Sequence, residues 1–148
     1  MAKQRILVSD PISEKGVELL SSNPDLEVDV NTGLSPEELI KIIPAYHGLI
    51  IRSQTKVTAD VLAAATELKA VGRAGVGVDN VDREAATNHG VIVMNTPTGN
   101  TISTAELAFT LMLSAARNIG SAHAEVLEGN FKAARKAYAG IEINDKRL

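Results

Sequence analysis

No cysteine occurs among the 148 residues. A disulfide framework, a thiolate metal site and a thiol nucleophile are therefore excluded. Aromatic residues make up only 3% of the chain, so a core has to be built from Val, Ile, Leu and Ala. Long apolar runs are missing as well. The most apolar stretch, Leu107 to Ala116, is too short to span a bilayer and is interrupted by Thr110 and Ser114. The stretch MAKQRILVSD passes straight into a strand pattern and lacks the apolar centre of a signal peptide. A soluble, cytoplasmic protein with no membrane segment is the expectation. Excess positive charge is lacking too: a net charge of −3 gives no reason to expect a nucleic-acid partner. No His/Asp/Glu spacing matches a metal site. What remains, 45% hydrophobic and 22% charged residues, is ordinary globular composition in a chain long enough for one full core.

Apolar runs and helix signals alternate along the chain. Ile6 to Val8 reads as a strand, and Ser13 starts a helix that Asn23-Pro24 stops. Leu26 to Val30 alternates with period two, which suits an edge strand wet on one face. Ser35-Pro36-Glu37-Glu38 is a capping box with proline at the first helical position. Gly48 to Ile51 is a continuous apolar strand, and Thr58 caps a third helix. Leu68 to Val71 and Val91 to Met94 are the fourth and fifth strands, the latter an apolar run of the buried kind. Five strands alternating with helices predict a doubly wound parallel α/β sheet of flavodoxin-like size, with helices on both faces. In such sheets ligands sit beyond the carboxyl ends of the strands. Ser9-Asp10, Arg52-Ser53 and Gly72 to Gly77 all fall there.

Gly72, Gly75 and Gly77 crowd into six residues, a density that permits positive φ and close approach of backbone N–H groups to a ligand. Gly75-Val76-Gly77 begins like a dinucleotide fingerprint, but Asn80 occupies the place of the third glycine and no acidic residue ends a following strand. A structural turn without a ligand remains open on the residues alone. Asp82 caps a short helix to Asn88, and Asn95 to Asn100 is turn chemistry. Ser103-Thr104-Ala105-Glu106 reads as a capping box opening a helix to about Asn118. That helix carries one narrow polar stripe, Glu106, Thr110 and Ser114, and is otherwise apolar, so a second layer or subunit is expected to cover it. Gly120 is expected to end it, Ser121 to Leu127 reads as a weaker helix, and the rest as a polar, irregular linker. His47, His89 and His123 read as ordinary surface or capping histidines.

GRAGVGVDNVD, an apolar strand, NTPTGN and AEL together resemble the signature of the D-2-hydroxyacid dehydrogenases over about 35 residues, most closely the D-3-phosphoglycerate dehydrogenase branch. A weaker likeness runs from the N-terminus to about Ile143. The resemblance implies the N-terminal, substrate-side portion of an NAD-dependent oxidoreductase that oxidises 3-phosphoglycerate to 3-phosphohydroxypyruvate for serine biosynthesis. It implies residues 1–98 as the substrate domain, and 99–148 as a crossover helix and linker toward a nucleotide domain whose first strand would begin at Lys146-Arg147-Leu148. It implies substrate contacts at Arg52, Ser53, Gly75, Val76 and Gly77, cofactor contacts at Val76 and Thr104, and a homodimer through the 103–118 helix. Many relatives have threonine where Val76 stands, so no hydroxyl contact is available there. The linker pattern of the family is met by Arg135, Tyr138, Gly140 and Glu142, with Ala133 in place of its tryptophan. The family's catalytic arginine, glutamate and histidine lie beyond the nucleotide domain, so no catalytic residue is assigned here and the chain alone is expected to be inactive. Arg52 suits a carboxylate or a phosphate because its fork is bidentate. Two other classes stay in view. A phospho-receiver would use Asp10 but needs an aspartate where Arg52 stands, and a stand-alone dimeric anion-binding module would need no catalytic half.

Overall fold

In the computed structural model, which describes residues 2–147, the chain forms two compact units, Met1–Gly99 and Asn100–Leu148. The first is a five-stranded parallel sheet of β1 (Gln4–Val8), β2 (Leu26–Val30), β3 (Gly48–Ile51), β4 (Ala70–Arg73) and β5 (Ile92–Asn95), in the order β2-β1-β3-β4-β5. This is the flavodoxin-like order, with its switch point between β1 and β3. The helices are α1 (Glu14–Ser21), α2 (Pro36–Ile42), α3 (Ala59–Ala64) and α4 (Arg83–Asn88). Local chemistry starts each of them. Ser13, Ser35, Thr58 and Asp82 are N-caps whose side chains accept backbone N–H groups, and Ser35 with Glu38 completes the capping box.

Register assigns the faces. Leu7, Leu49 and Val71 lie side by side and are fully buried under α2, α3 and α4 together with Ile51, Leu39, Val61 and Leu62. Burial of that aliphatic face is the main stabilising contribution, at about 25 cal/mol per Å². On the opposite face α1 lies beside Val8 and Val30. No helix of this unit covers the same face from β3 to β5. There Ile92 and Met94 are 64% and 52% exposed, although an apolar run predicts a buried strand. The reason is the missing cover: strand side chains point out of the sheet plane, and those of β5 on this face meet no helix of the unit, whereas Val93 on the other face packs against the core. β4 also lies further along than the apolar run suggests, so Gly72 and Arg73 belong to the strand and the loop starts at Ala74.

In the second unit, α5 (Thr101–Ala116) starts earlier than the capping box predicts. Ser103 lies in its first turn and bonds back to the Asn100 carbonyl rather than capping. The helix stops at Arg117, where Asn118 takes a left-handed conformation, and Gly120 lies inside α6 (Ile119–Leu127) instead of ending α5. The expected irregular linker contains a further helix, α7 (Phe131–Ala137), as its Ala, Lys and Arg content favours. Gly140 has a φ of +69°, and a side chain there would run into the backbone of Ala116 and Arg117. Lys146 and Arg147 lie in no strand, and Leu148 is outside the described residues.

Candidate functional site

β3 and β4 are adjacent and parallel, so their carboxyl ends release two loops side by side. The first is Arg52 to Thr55, held from below by a carboxylate. Asp10 is 1% exposed and accepts from the amides of Arg52 (2.6 Å), Gln54 (3.2 Å) and Thr55 (3.1 Å) and from the Thr55 hydroxyl (2.6 Å). Burial alone would raise the Asp10 pKa. The Thr55 hydroxyl and the amides of Thr55, Arg52 and Gln54 outweigh it and hold the carboxyl below its ordinary value. Asn80 closes the loop from the other side, its Nδ2 donating to the carbonyls of Arg52 (2.8 Å) and Thr55 (2.6 Å). The residue that breaks the dinucleotide fingerprint therefore has its own task, which a glycine could not perform.

With its backbone pinned, Arg52 and its neighbour Ser53 remain exposed. The Arg52 guanidinium has no ion pair among the described residues.

The second loop is Gly75-Val76-Gly77. Its three carbonyls are all tied back: Gly75 O accepts from the Thr96 amide (3.0 Å), Val76 O from Asn95 Nδ2 (2.6 Å), and Gly77 O from the Arg73 guanidinium. The Gly75 amide donates to Arg73 O (2.9 Å). The amides of Val76 and Gly77 donate to no protein acceptor among the described residues. Of the three N–H groups the sequence offers, two are therefore available to an anion. None of Gly72, Gly75 and Gly77 has positive φ, contrary to the expectation from their density. Side chains lie against two of them instead: a Cβ on Gly75 would come within 2.9 Å of Arg73 Nη1, and one on Gly77 within 2.7 Å of Asp79 Oδ1.

The structure thus brings Arg52, Ser53, Gly75, Val76 and Gly77 to one edge of the sheet. The Val76 side chain is 44% exposed, an apolar surface beside two free amides. Thr104 is exposed in the first turn of α5, in the other unit. His47 is structural, accepting the Arg5 amide at Nδ1 (3.0 Å). Sequence reasoning missed the supports: Asp10 as an anchor, Asn80 as a clasp, Arg73 and Asn95 as carbonyl ties. The only local hint was the clustering of polar residues at strand ends. Asp10 is also saturated by loop donors, which removes the group a phospho-receiver would need. Among the described residues no group of three metal-ligating side chains occurs, and no helix is long and apolar enough to cross a membrane.

The sequence pattern of the D-isomer specific 2-hydroxyacid dehydrogenase catalytic domain matches residues 6–142. A D-3-phosphoglycerate dehydrogenase of Archaeoglobus fulgidus is 53% identical over 142 residues, which is 96% of this chain and 26% of that protein. The chain thus spans about a quarter of the length of that relative. Among solved structures, the PH0520 protein of Pyrococcus horikoshii superposes with a TM-score of 0.80 at 26% identity, over 95% of this chain and 41% of the other. An NAD+-bound 3-phosphoglycerate dehydrogenase of Entamoeba histolytica gives 0.69 at 32% identity, over 78% and 40%. A doubly wound sheet, matched over nearly its whole length by one family pattern, places this chain in the D-isomer specific 2-hydroxyacid dehydrogenase family.

Proposed function

We propose that this chain is the substrate-side part of an NAD-dependent D-3-phosphoglycerate dehydrogenase, which oxidises 3-phosphoglycerate to 3-phosphohydroxypyruvate in the cytoplasm, at the start of serine synthesis. One observation carries the reading: Arg52, exposed and without an ion pair among the described residues, follows the strand next to the one that leads to the amides of Val76 and Gly77, which have no protein acceptor among the described residues. A molecule with two acidic ends suits that pair. The guanidinium takes one end through a bidentate fork, and the amides take the other at close range. Ser53 adds a hydroxyl next to Arg52.

In this reading residues 1–98 are the substrate domain, and 99–148 lead to a nucleotide-binding domain. NAD, when bound, accepts the hydride of the alcohol carbon. Among the chain's own residues, the exposed side chain of Val76 offers a van der Waals surface suited to a flat ring, and Thr104 a hydroxyl. Neither amounts to a dinucleotide site, since Asn80 replaces the third glycine. The part of this chain is to bind and orient the substrate. The parent works as a homodimer through α5, whose Leu107, Phe109 and Leu111 are 58%, 56% and 60% exposed.

Titrating the chain with 3-phosphoglycerate tests the reading. Binding at about millimolar Kd, near −4 kcal/mol, is expected for a site open to water. It should shift the NMR amide signals of Ser53, Val76 and Gly77 and be lost in Arg52→Ala. Shifts elsewhere, or shifts that persist in Arg52→Ala, refute the site. Equal affinity for D-glycerate would point to another D-2-hydroxyacid as the substrate.

A further inference from the structure

The two arms of the anion site are joined by a residue that belongs to neither. Arg73 is the last residue of β4, and its side chain is 11% exposed. Its Nε donates to the Arg52 carbonyl at 3.1 Å, and its Nη1 donates to the Gly77 carbonyl. One planar guanidinium thus bonds the backbone of both ligand-facing loops. Its third nitrogen, Nη2, is 3.8 Å from Asp79 Oδ1, a carboxylate that is 85% exposed.

The glycines supply an independent observation. Gly75 and Gly77 do not have the backbone angles that require glycine. At Gly75 the guanidinium fills the space a side chain would take: Arg73 Nη1 is 2.9 Å from a Cβ placed there, while at Gly77 it is in ordinary contact at 3.5 Å. Gly75 leaves room for the arginine.

We propose that Arg73 is a positioning residue that ties the Arg52 carbonyl to the Gly77 carbonyl, and so sets the distance between the cationic arm and the amide arm of the anion site. The inference rests on the reading of that site given above. Guanidinium suits the task because its donors are fixed in one plane and span two acceptors. A lysine ammonium is a compact point charge on a flexible stem and reaches one of them. Because Nε and Nη1 are spent on carbonyls, Arg73 acts on a ligand through the loops.

The test uses the whole 148-residue chain with Arg73→Lys, Arg73→Gln and Gly75→Ala. The last crowds the guanidinium while leaving the arginine in place, and it serves if the first two fold poorly. Without ligand, each variant should shift the amide signals of Ser53 and Gly77 together. With 3-phosphoglycerate, Kd should rise at least fivefold, equally in the lysine and glutamine variants. A purely structural role would lower the melting temperature and leave Kd unchanged. A direct charge contact would let lysine keep the affinity that glutamine loses. Either result overturns the proposal, as does a Ser53 signal that stays in place when Gly77 moves. If the unsubstituted chain shows no saturable shifts, the anion site itself fails. The ligand-free comparison still establishes whether Arg73 couples the loops.

Discussion

Asp10 offers the most demanding test of how the site is built. Its carboxylate is 1% exposed and accepts three amides and a hydroxyl from the loop that presents Arg52. Asp10→Ala removes the acceptor and leaves these donors without partners. A stranded buried donor costs about 1–3 kcal/mol. Arg52 and Gln54 are exposed residues whose amides water can reach, while Thr55 is half-buried, so its amide and hydroxyl bear most of the loss. The expected destabilisation is about 3–4 kcal/mol, which in a unit of this size lowers Tm by more than about 10 °C. Asp10→Asn keeps the shape and one acceptor oxygen, and should lose about half as much. The pH dependence gives an independent check. The folded-state pKa of Asp10 is depressed, so its contribution is full well above about pH 4, the unfolded value, and is lost as pH falls through the folded value. The Tm gap between the unsubstituted chain and Asp10→Asn should therefore be widest near pH 7 and shrink toward pH 2. Circular-dichroism melts across that range measure it. An Asp10→Ala protein melting within 2 °C or so of the parent, or a gap unchanged in acid, would refute the claim that a buried, hydrogen-bonded carboxylate holds this loop.

Three further substitutions test other parts of the chain. Leu111→Glu places a charge among the exposed apolar residues of α5, and sedimentation should show the proposed homodimer replaced by monomer; a protein already monomeric at tens of micromolar (the order at which weaker interfaces form) would remove the dimer from the reading. Gly140→Ala forces a side chain into the Ala116 and Arg117 backbone at a φ of +69°, so the amide of Ile141, which donates to Ala116 O at 2.8 Å, should lose hydrogen-exchange protection while β1 to β4 keep theirs. Tyr46→Phe removes the phenol that donates to Asp29 at 2.9 Å, the foremost of the two hydrogen bonds, with that from Arg5, that hold the Asp29 pKa down; the Asp29 pKa followed by carboxyl NMR should rise toward its ordinary value, at a stability cost of about 1 kcal/mol.

The order of strands and helices in the first unit was legible in the sequence because its signals are local. Period-two alternation at Leu26 to Val30, the Ser35–Glu38 box and the caps at Ser13, Thr58 and Asp82 act over a few residues, and the structure has each in place. The carboxyl-edge placement of Arg52, Ser53 and the glycine loop followed from parallel order alone. The α7 helix was missed: its polarity reads as a linker, although its Ala, Lys and Arg content favours a helix. Tertiary structure decided the rest. Asp10 meets its partners 42 to 45 residues away and Asn80 reaches back 25 to 28, and no local period encodes such pairs. Whether Ile92 and Met94 are buried depends on whether a helix covers their face of the sheet, a property of the assembled unit rather than of the strand. The glycines illustrate the same division. Their spacing could be read directly, but the side chains that lie against them, Arg73 at Gly75 and Asp79 at Gly77, come into place only once the loop has folded.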